Sequence, residues 1–123
     1  MKIIDLINAK NAFDLNSKFD SDMQLAFKVI KFVKKVETES EFYNKKYYEI
    51  IQKYAEKDSE GNVVQNGEGI KIKSEDVSDF NNELEKLNDV DVEKPVITFS
   101  IDELNKCDLT GNGLYALYPF ISE

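Results

Sequence analysis

The chain has 123 residues, of which 41% are hydrophobic and 33% charged, and its formal net charge is −8. These proportions are typical of a globular protein, and the length suits a single domain, residues 1–123, with its own hydrophobic core. No apolar run approaches the roughly 20 residues of a membrane-spanning helix, and the N-terminus lacks the long apolar region of a signal peptide. We therefore expect a protein that stays in the cytoplasm of the cell that makes it and binds no membrane.

The residue types present exclude much catalytic chemistry. The chain has no histidine and one cysteine, Cys107. Without histidine, the commonest general base and the commonest zinc ligand are missing. A lone cysteine supports neither an internal disulfide nor a thiolate metal cluster within one chain, and we expect it to be a small buried residue. Because no phosphate-binding or calcium-binding motif is present either, we predict no enzyme activity, no metal and no cofactor.

The first predicted element is a helix at residues 3–15, with Asp5 as its cap. Its apolar stripe is formed by Ile4, Ile7, Ala12 and Phe13. Residues 16–20 are polar enough to predict a loop, in which Phe19 is placed to pack near Leu25 as a hydrophobic staple.

The longest predicted element is a helix from Ser21 to Tyr54, which begins with a capping box of Ser21 and Gln24. Residues suited to one buried face recur there at steps of mostly three and four. This stripe consists of Met23, Ala26, Phe27, Ile30, Val33, Val36, Ser40, Tyr43, Tyr47, Ile50 and Tyr54. A continuous helix would be about 50 Å long, beyond the roughly 27 Å expected across such a domain. We expect it to bend or protrude, with a break at the polar residues 38–41.

The predicted β-structure is small. Two β-prone runs, residues 63–65 and 70–73, flank Asn66–Gly69, and this arrangement predicts a β-hairpin. A third strand is predicted at residues 96–100, preceded by Pro95. Because proline cannot donate a ladder hydrogen bond, an edge position suits this strand.

Three further helices follow from capping signals. Ser74 is expected to cap the first, Ser100 with Glu103 forms a capping box for a short second, and Thr110 is expected to cap the last, which Pro119 ends. The buried stripe of the first is predicted to be Val77, Phe80, Leu84 and Leu87.

These elements predict an α+β fold: a helix-rich single domain with a long central helix, a β-hairpin and a third strand. The residues that we expect in its core are Phe27, Ile30, Val33, Phe80, Leu84, Phe99, Leu117 and Phe120.

Charge is distributed unevenly. Residues 1–57 hold 11 lysines and 9 acidic residues, whereas residues 58–123 hold 5 lysines and 15 acidic residues, giving +2 and −10. The acidic half would repel nucleic acid and suits a basic partner, although such charge also serves solubility alone. Its densest stretch is a candidate partner-binding surface that could imitate nucleic-acid phosphates. The carboxylates are Glu75, Asp76, Asp79, Glu83, Glu85, Asp89, Asp91 and Glu93.

A second candidate surface lies on the C-terminal half of the long helix. Four tyrosines cluster there and alternate with lysines: Tyr43, Tyr47, Tyr48 and Tyr54. Tyrosine is enriched in protein–protein interfaces, so this face is a candidate for binding another protein. The alternative is a packed helix whose tyrosine hydroxyls reach water.

Four stretches carry a family resemblance: Tyr54–Asn62 (YAEKDSEGN), Ile70–Lys73 (IKIK), Phe80–Leu87 (FNNELEKL) and Leu114–Ile121 (LYALYPFI). Over nearly its full length the chain resembles a family of small proteins of unknown function from phages and prophages of Gram-positive bacteria. The resemblance implies a phage gene product and supplies no active-site residues. It suggests either a structural or assembly protein that binds other phage proteins, or an inhibitor of a host defence nuclease such as a CRISPR effector.

Overall fold

The computed structural model describes residues 1–14, 22–66 and 69–122. The helices of this part are α1 (Ile3–Asp14), α2 (Met23–Tyr54), α3 (Val77–Asn88), α4 (Ile101–Asn105) and α5 (Gly111–Leu117). Two short strands, β1 (Gln65–Asn66) and β2 (Gly69–Ile70), form an antiparallel pair. Single 3₁₀ turns cover Ser74–Asp76 and Tyr118–Phe120. The fold is therefore helix-rich, with a minimal β component.

Helix α2 is continuous over 32 residues, about 48 Å at 1.5 Å per residue. The predicted break at residues 38–41 is wrong: the helix runs through them, because no glycine or proline interrupts the segment. Ser40 lies on its buried side, while Thr38 and Glu41 are exposed. The N-cap is Asp22, whose carboxylate accepts a hydrogen bond from the Leu25 N–H at 3.1 Å. Ser21, and with it the predicted capping box, lies outside the described residues.

A cluster of phenylalanine rings forms the centre of the core, where α2 meets α1 and the chain around α5. The Phe32 ring centroid lies 4.9 Å from that of Phe120 and 5.8 Å from those of Phe13 and Phe99. These contacts are edge-on, an arrangement that the quadrupoles of aromatic rings favour. The buried residues of this core are Leu6, Ala9, Phe13, Leu25, Val29, Phe32, Val36, Phe99, Leu104, Cys107, Leu117 and Phe120.

The prediction of which residues are buried is partly confirmed. Of the expected core, Phe99, Leu117 and Phe120 are fully buried. Val33, Phe80 and Leu84 are partly buried. Phe27 and Ile30 are exposed, so their assignment to the core is wrong, as is that of Met23 to the buried stripe.

The error has a simple geometric cause. The first half of α2 carries two apolar stripes at helical spacing, one through Phe27 and one through Phe32. The stripe through Phe32 continues on the same side of the helix through Val36 and Ser40 to the buried Tyr54. Because a helix turns about 100° per residue, the stripe through Phe27 then faces away from the core.

Helix α1 buries Ile3, Leu6, Ile7, Ala9 and Phe13. Ile4 of the predicted stripe is only partly buried, and Asp5 stands within the first helical turn rather than at the cap. The predicted loop at residues 16–20, with the Phe19 staple, lies outside the described residues. The chain after α3 runs beside the start of α1, since the Ile3 N–H donates to the Val90 carbonyl at 2.8 Å.

The predicted hairpin is present, but its bounds differ: Asn66 and Gly69, predicted in the connection, belong to the paired strands. Gln65 pairs with Ile70 and Asn66 with Gly69. Bridges from Ala55 to Ile72 and from Lys57 to Val63 continue the pairing towards the end of α2.

The predicted third strand at residues 96–100 is wrong. It is reduced to one parallel bridge, Phe99 to Ile121, in which the Phe99 N–H donates to the Phe120 carbonyl at 2.7 Å. The physical reason is the next residue: Ser100 caps α4, so the chain turns into a helix before a ladder can extend.

The capping signals had mixed outcomes. The box of Ser100 and Glu103 is confirmed, with both reciprocal hydrogen bonds present. Thr110 is confirmed as the cap of α5 through its bond from the Gly113 N–H at 3.0 Å. The cap predicted at Ser74 is wrong, because this residue opens the 3₁₀ turn ahead of α3, where no side-chain cap bond forms.

Candidate partner-binding surfaces

The outward side of α2 carries three large apolar side chains, which we call the α2 ridge: Met23, Phe27 and Ile30. They are 80%, 68% and 55% exposed, respectively. Steps of four and three residues place them in one row along the helix. That row lies opposite the side on which Leu25 and Phe32 enter the core. The α2 ridge is thus an apolar row that lies mostly outside the core.

The same helical segment is strongly basic. Residues 23–36 contain four lysines and no carboxylate, although the whole chain is acidic. Lys28 donates to Glu103 at 2.8 Å and Lys34 lies 3.6 Å from Glu37. Lys31 and Lys35 form no salt bridge within residues 1–14, 22–66 and 69–122. Positive charge therefore borders the exposed apolar row.

The bond between Lys28 and Glu103 ties α4 to α2. Burial of the Glu103 carboxyl tends to raise its pKa, but hydrogen bonds from Lys28 and from the Ser100 backbone outweigh that effect and hold the pKa below its usual value. Lys28 is therefore engaged within the fold, whereas Lys31 and Lys35 have no salt bridge to any described residue.

The four tyrosines of α2 do not form one exposed face. Tyr54 is buried and its ring packs edge-on against that of Phe80. Tyr43 donates its hydroxyl hydrogen bond to Asn88 of α3 at 2.7 Å, and burial raises its pKa. The Tyr47 ring stacks on that of Tyr43, with centroids 6.1 Å apart. Tyr48 points to solvent, so most of this cluster serves the packing of α3 on α2.

The acidic candidates are scattered rather than aligned. Asp79 and Glu85 are six residues apart in α3, which places them about 120° apart around the helix. Three of the eight carboxylates are engaged by cations: Glu83 with Lys53 at 3.4 Å, Asp89 with Lys2 at 3.1 Å, and Asp91 with the Met1 amino group at 3.0 Å. The others, which form no salt bridge with any described residue, are Glu75, Asp76, Asp79, Glu85 and Glu93.

A groove of about 750 Å³ runs between α1 and α5. Asn8 and Asn11 stand on the α1 side, and Asn112, Tyr115 and Tyr118 on the other. The two tyrosines are largely exposed. The walls offer hydrogen-bond donors and acceptors but no concentration of charge and no buried polar group awaiting a partner. The groove does not select a class of ligand.

A smaller groove of about 450 Å³ separates α2 from α3. Ile50 and Leu87 contribute apolar surface there, and the charged side chains at its border pair with one another. Examples are Lys46 with Glu49 at 3.3 Å and Lys53 with Glu83 at 3.4 Å. This mutual neutralisation leaves less charge available to a partner than at the α2 ridge.

Cys107 is buried, which confirms its predicted role as a packing residue. Burial raises the pKa of its thiol, so the reactive thiolate form is disfavoured. Among residues 1–14, 22–66 and 69–122, no three His, Cys, Asp or Glu side chains converge in a way that could hold a metal ion.

In the part of the chain that the structure describes, no helix has the length and apolar character needed to cross a membrane. Comparisons of the chain with protein-family models, with curated proteins and with solved structures found no match.

Proposed function

We propose that this protein acts by stoichiometric binding to another protein, without catalysing a reaction, and that the α2 ridge is its contact surface. The observation that carries the proposal is the exposure of Met23, Phe27 and Ile30 in one row. Contiguous exposed apolar surface commonly marks a site of interaction. Burying side chains of this size contributes about 1.5–3 kcal/mol each before the cost of association.

The position of the ridge favours binding with little reorganisation. Its residues lie on a regular helix whose opposite side is fixed in the core by Leu25, Val29 and Phe32. A preorganised surface loses less conformational entropy on association. Phe27, at the centre of the row, is the expected anchor, because aromatic side chains near the middle of an interface often dominate its binding energy.

The resemblance to phage proteins provides the biological part of the proposal. The leading role is an accessory, structural or assembly protein that binds other phage proteins in the host cytoplasm or in the virion. The second is an inhibitor of a host defence nuclease. Exposed carboxylates such as Asp79 and Glu85 favour a basic enzyme as the target in that case, but the pairing of Glu83, Asp89 and Asp91 reduces the charge available.

Capture of the partner from bacterial cells that carry the gene tests the proposal. Tagged wild-type protein is compared with Phe27→Asp and with the control Tyr48→Asp, which places the same charge on an exposed aromatic of the same helix. We expect the wild type and the control to retain one protein at a fixed molar ratio and Phe27→Asp to lose it. Retention by Phe27→Asp, with all three chains equally helical by circular dichroism, would overturn the proposal.

The identity of the captured protein separates the two roles. A particle protein, together with stoichiometric presence of this chain in purified virions, supports the structural or assembly role. A host nuclease whose activity falls on binding supports the inhibitor.

A further inference from the structure

The spacing of the α2 ridge fits packing against another helix. Met23, Phe27 and Ile30 are followed by Lys34 after a further four residues. Residues at alternating steps of four and three form a seam, that is, a row along one helix that packs against a second helix. The apolar part of this seam spans about two turns, and a lysine occupies its next position.

The charge beside the seam indicates the chemistry of the partner. Lys31 stands one turn after Phe27, and Lys34 one turn after Ile30. Both are exposed, and residues 23–36 contain no carboxylate. Lys34 lies 3.6 Å from Glu37, but an exposed pair of this kind contributes little, whereas Lys31 has no salt bridge to any described residue. Residues that border a helical seam commonly pair with opposite charges on the facing helix.

We infer that the segment docking on the α2 ridge is an amphipathic helix whose apolar stripe is bordered by aspartate or glutamate. This inference rests on the proposed function of the ridge and adds the chemical class of the partner. The apolar stripe of that helix covers Met23, Phe27 and Ile30, while its carboxylates approach Lys31 and Lys34.

Two other occupants fit the same observations less well. In either orientation, residues 23–36 of a second copy offer Lys31 and Lys34 no carboxylate. A copy packed in parallel would also set these lysines opposite their own counterparts, where like charges repel. An anionic membrane would attract these lysines, but the net charge of −8 opposes its approach, and only three apolar side chains are available to insert.

Two synthetic peptides of about three heptads test the inference. They share leucine at the seam positions and differ only in carrying glutamate or lysine at the bordering positions. Each is titrated at low salt into ¹⁵N-labelled protein. We expect the glutamate peptide to shift signals of residues 23–34 and to bind about tenfold more tightly. Replacing Lys31 and Lys34 with glutamine should reduce that preference to near unity, and Phe27→Asp should weaken binding of both peptides.

The outcomes separate this inference from the proposed function. Equal affinities for the two peptides would refute the inference that the partner is acidic. Absence of shifts at the ridge would refute the inference that the partner is a helix. Capture of the natural partner, compared between wild type and Phe27→Asp, still tests the proposed function in either case. A dimer of the free protein that Phe27→Asp dissociates would assign the ridge to a second copy. Binding to phosphatidylserine vesicles but to neither peptide would assign it to a membrane. Either result would overturn the inference.

Discussion

Phe27 and Phe32 lie five residues apart in α2 and have opposite environments: the Phe32 ring is fully buried, whereas Phe27 is 68% exposed. Phe32 meets the rings of Phe13, Phe99 and Phe120, and Phe27 occupies the outward row. The two residues have the same chemistry, so the rotation of one helix places one ring in the core and leaves the other exposed at the proposed binding surface.

Alanine substitutions should separate these roles. Phe32→Ala removes a ring from a close-packed site and should lower the free energy of unfolding by about 3–5 kcal/mol. Phe27→Ala should change it by no more than about 0.5 kcal/mol, since exposed positions contribute little to stability. Urea unfolding curves of both variants, fitted with a common slope, give the comparison. Similar losses for the two variants would show that Phe27 is part of the core.

The sequence predicted local features well, because short-range chemistry determines them. The capping box of Ser100 and Glu103, the Thr110 cap and the hairpin near Asn66 were all predictable from neighbouring residues. Which side of α2 faces the core was not predictable in this way, since the first half of the helix carries two apolar stripes of similar spacing. The stripe through Phe32 stays on one side of the helix as far as Tyr54, and this continuity could have identified the buried side.

The remaining errors come from tertiary contacts. Phe99 pairs with one residue near the C-terminus, a partner that local β-propensity does not reveal. The ion pairs of Asp89 and Asp91 join the connector after α3 to the start of the chain. Phe27 and Ile30 of the α2 ridge were predicted as core residues, and Met23 as part of the buried stripe. Spacing alone does not show which side of a helix the rest of the chain covers.

Continuity of α2 can be tested at the predicted break. Thr38 is exposed, and its replacement by proline would remove a helical hydrogen bond and clash with the preceding turn. We expect Thr38→Pro to lower the free energy of unfolding by about 3 kcal/mol or more. Thr38→Ala, the control, should be neutral or slightly stabilising. If thermal or urea unfolding shows that proline is tolerated, the helix is broken there in solution.

The α2 cap should make stability depend on acid pH. Hydrogen bonds from Lys106 and from the Leu25 backbone hold the pKa of Asp22 below its usual value of 3.8. This stabilisation is therefore complete above pH 3.8 and is lost as the pH falls through the lower folded-state pKa. Asp22→Asn keeps an acceptor but removes the charge.

Thermal unfolding of wild type and Asp22→Asn as a function of pH provides the measurement. The melting-temperature advantage of the wild type should be constant near neutrality and shrink below pH 3.8. Lys106→Gln, which removes the ion pair at 2.7 Å, should make the loss smaller. An advantage that stays unchanged through strong acid would contradict this account of the cap.

Charge reversal can test the acidic surface without disturbing described ion pairs. Reversing Glu83, Asp89 and Asp91 would break contacts to Lys53, Lys2 and the Met1 amino group, so loss of binding would be ambiguous. A cleaner variant changes to lysine four of the five candidate carboxylates that have no described salt bridge: Glu75, Asp79, Glu85 and Glu93.

We expect this quadruple variant to fold and to retain the partner captured through the α2 ridge, because its changes lie outside the ridge. Quantitative mass spectrometry of the captured complex provides the readout, with Phe27→Asp as the non-binding control. Loss of the partner at physiological ionic strength, with unchanged circular dichroism, would instead make the acidic surface the binding site.

If the α2 ridge is the binding surface, it is exposed in the free protein and covered in the complex. Methyl NMR with a soluble gadolinium chelate tests it most directly, by comparing Met23 and Ile30 with the buried Val29. We predict strong broadening of the Met23 and Ile30 methyl signals in the free protein and protection once the captured partner is bound, while Val29 stays protected throughout. Equal protection of all three in the free protein, or continued broadening of Met23 and Ile30 in the complex, would show that the α2 ridge is not the binding surface.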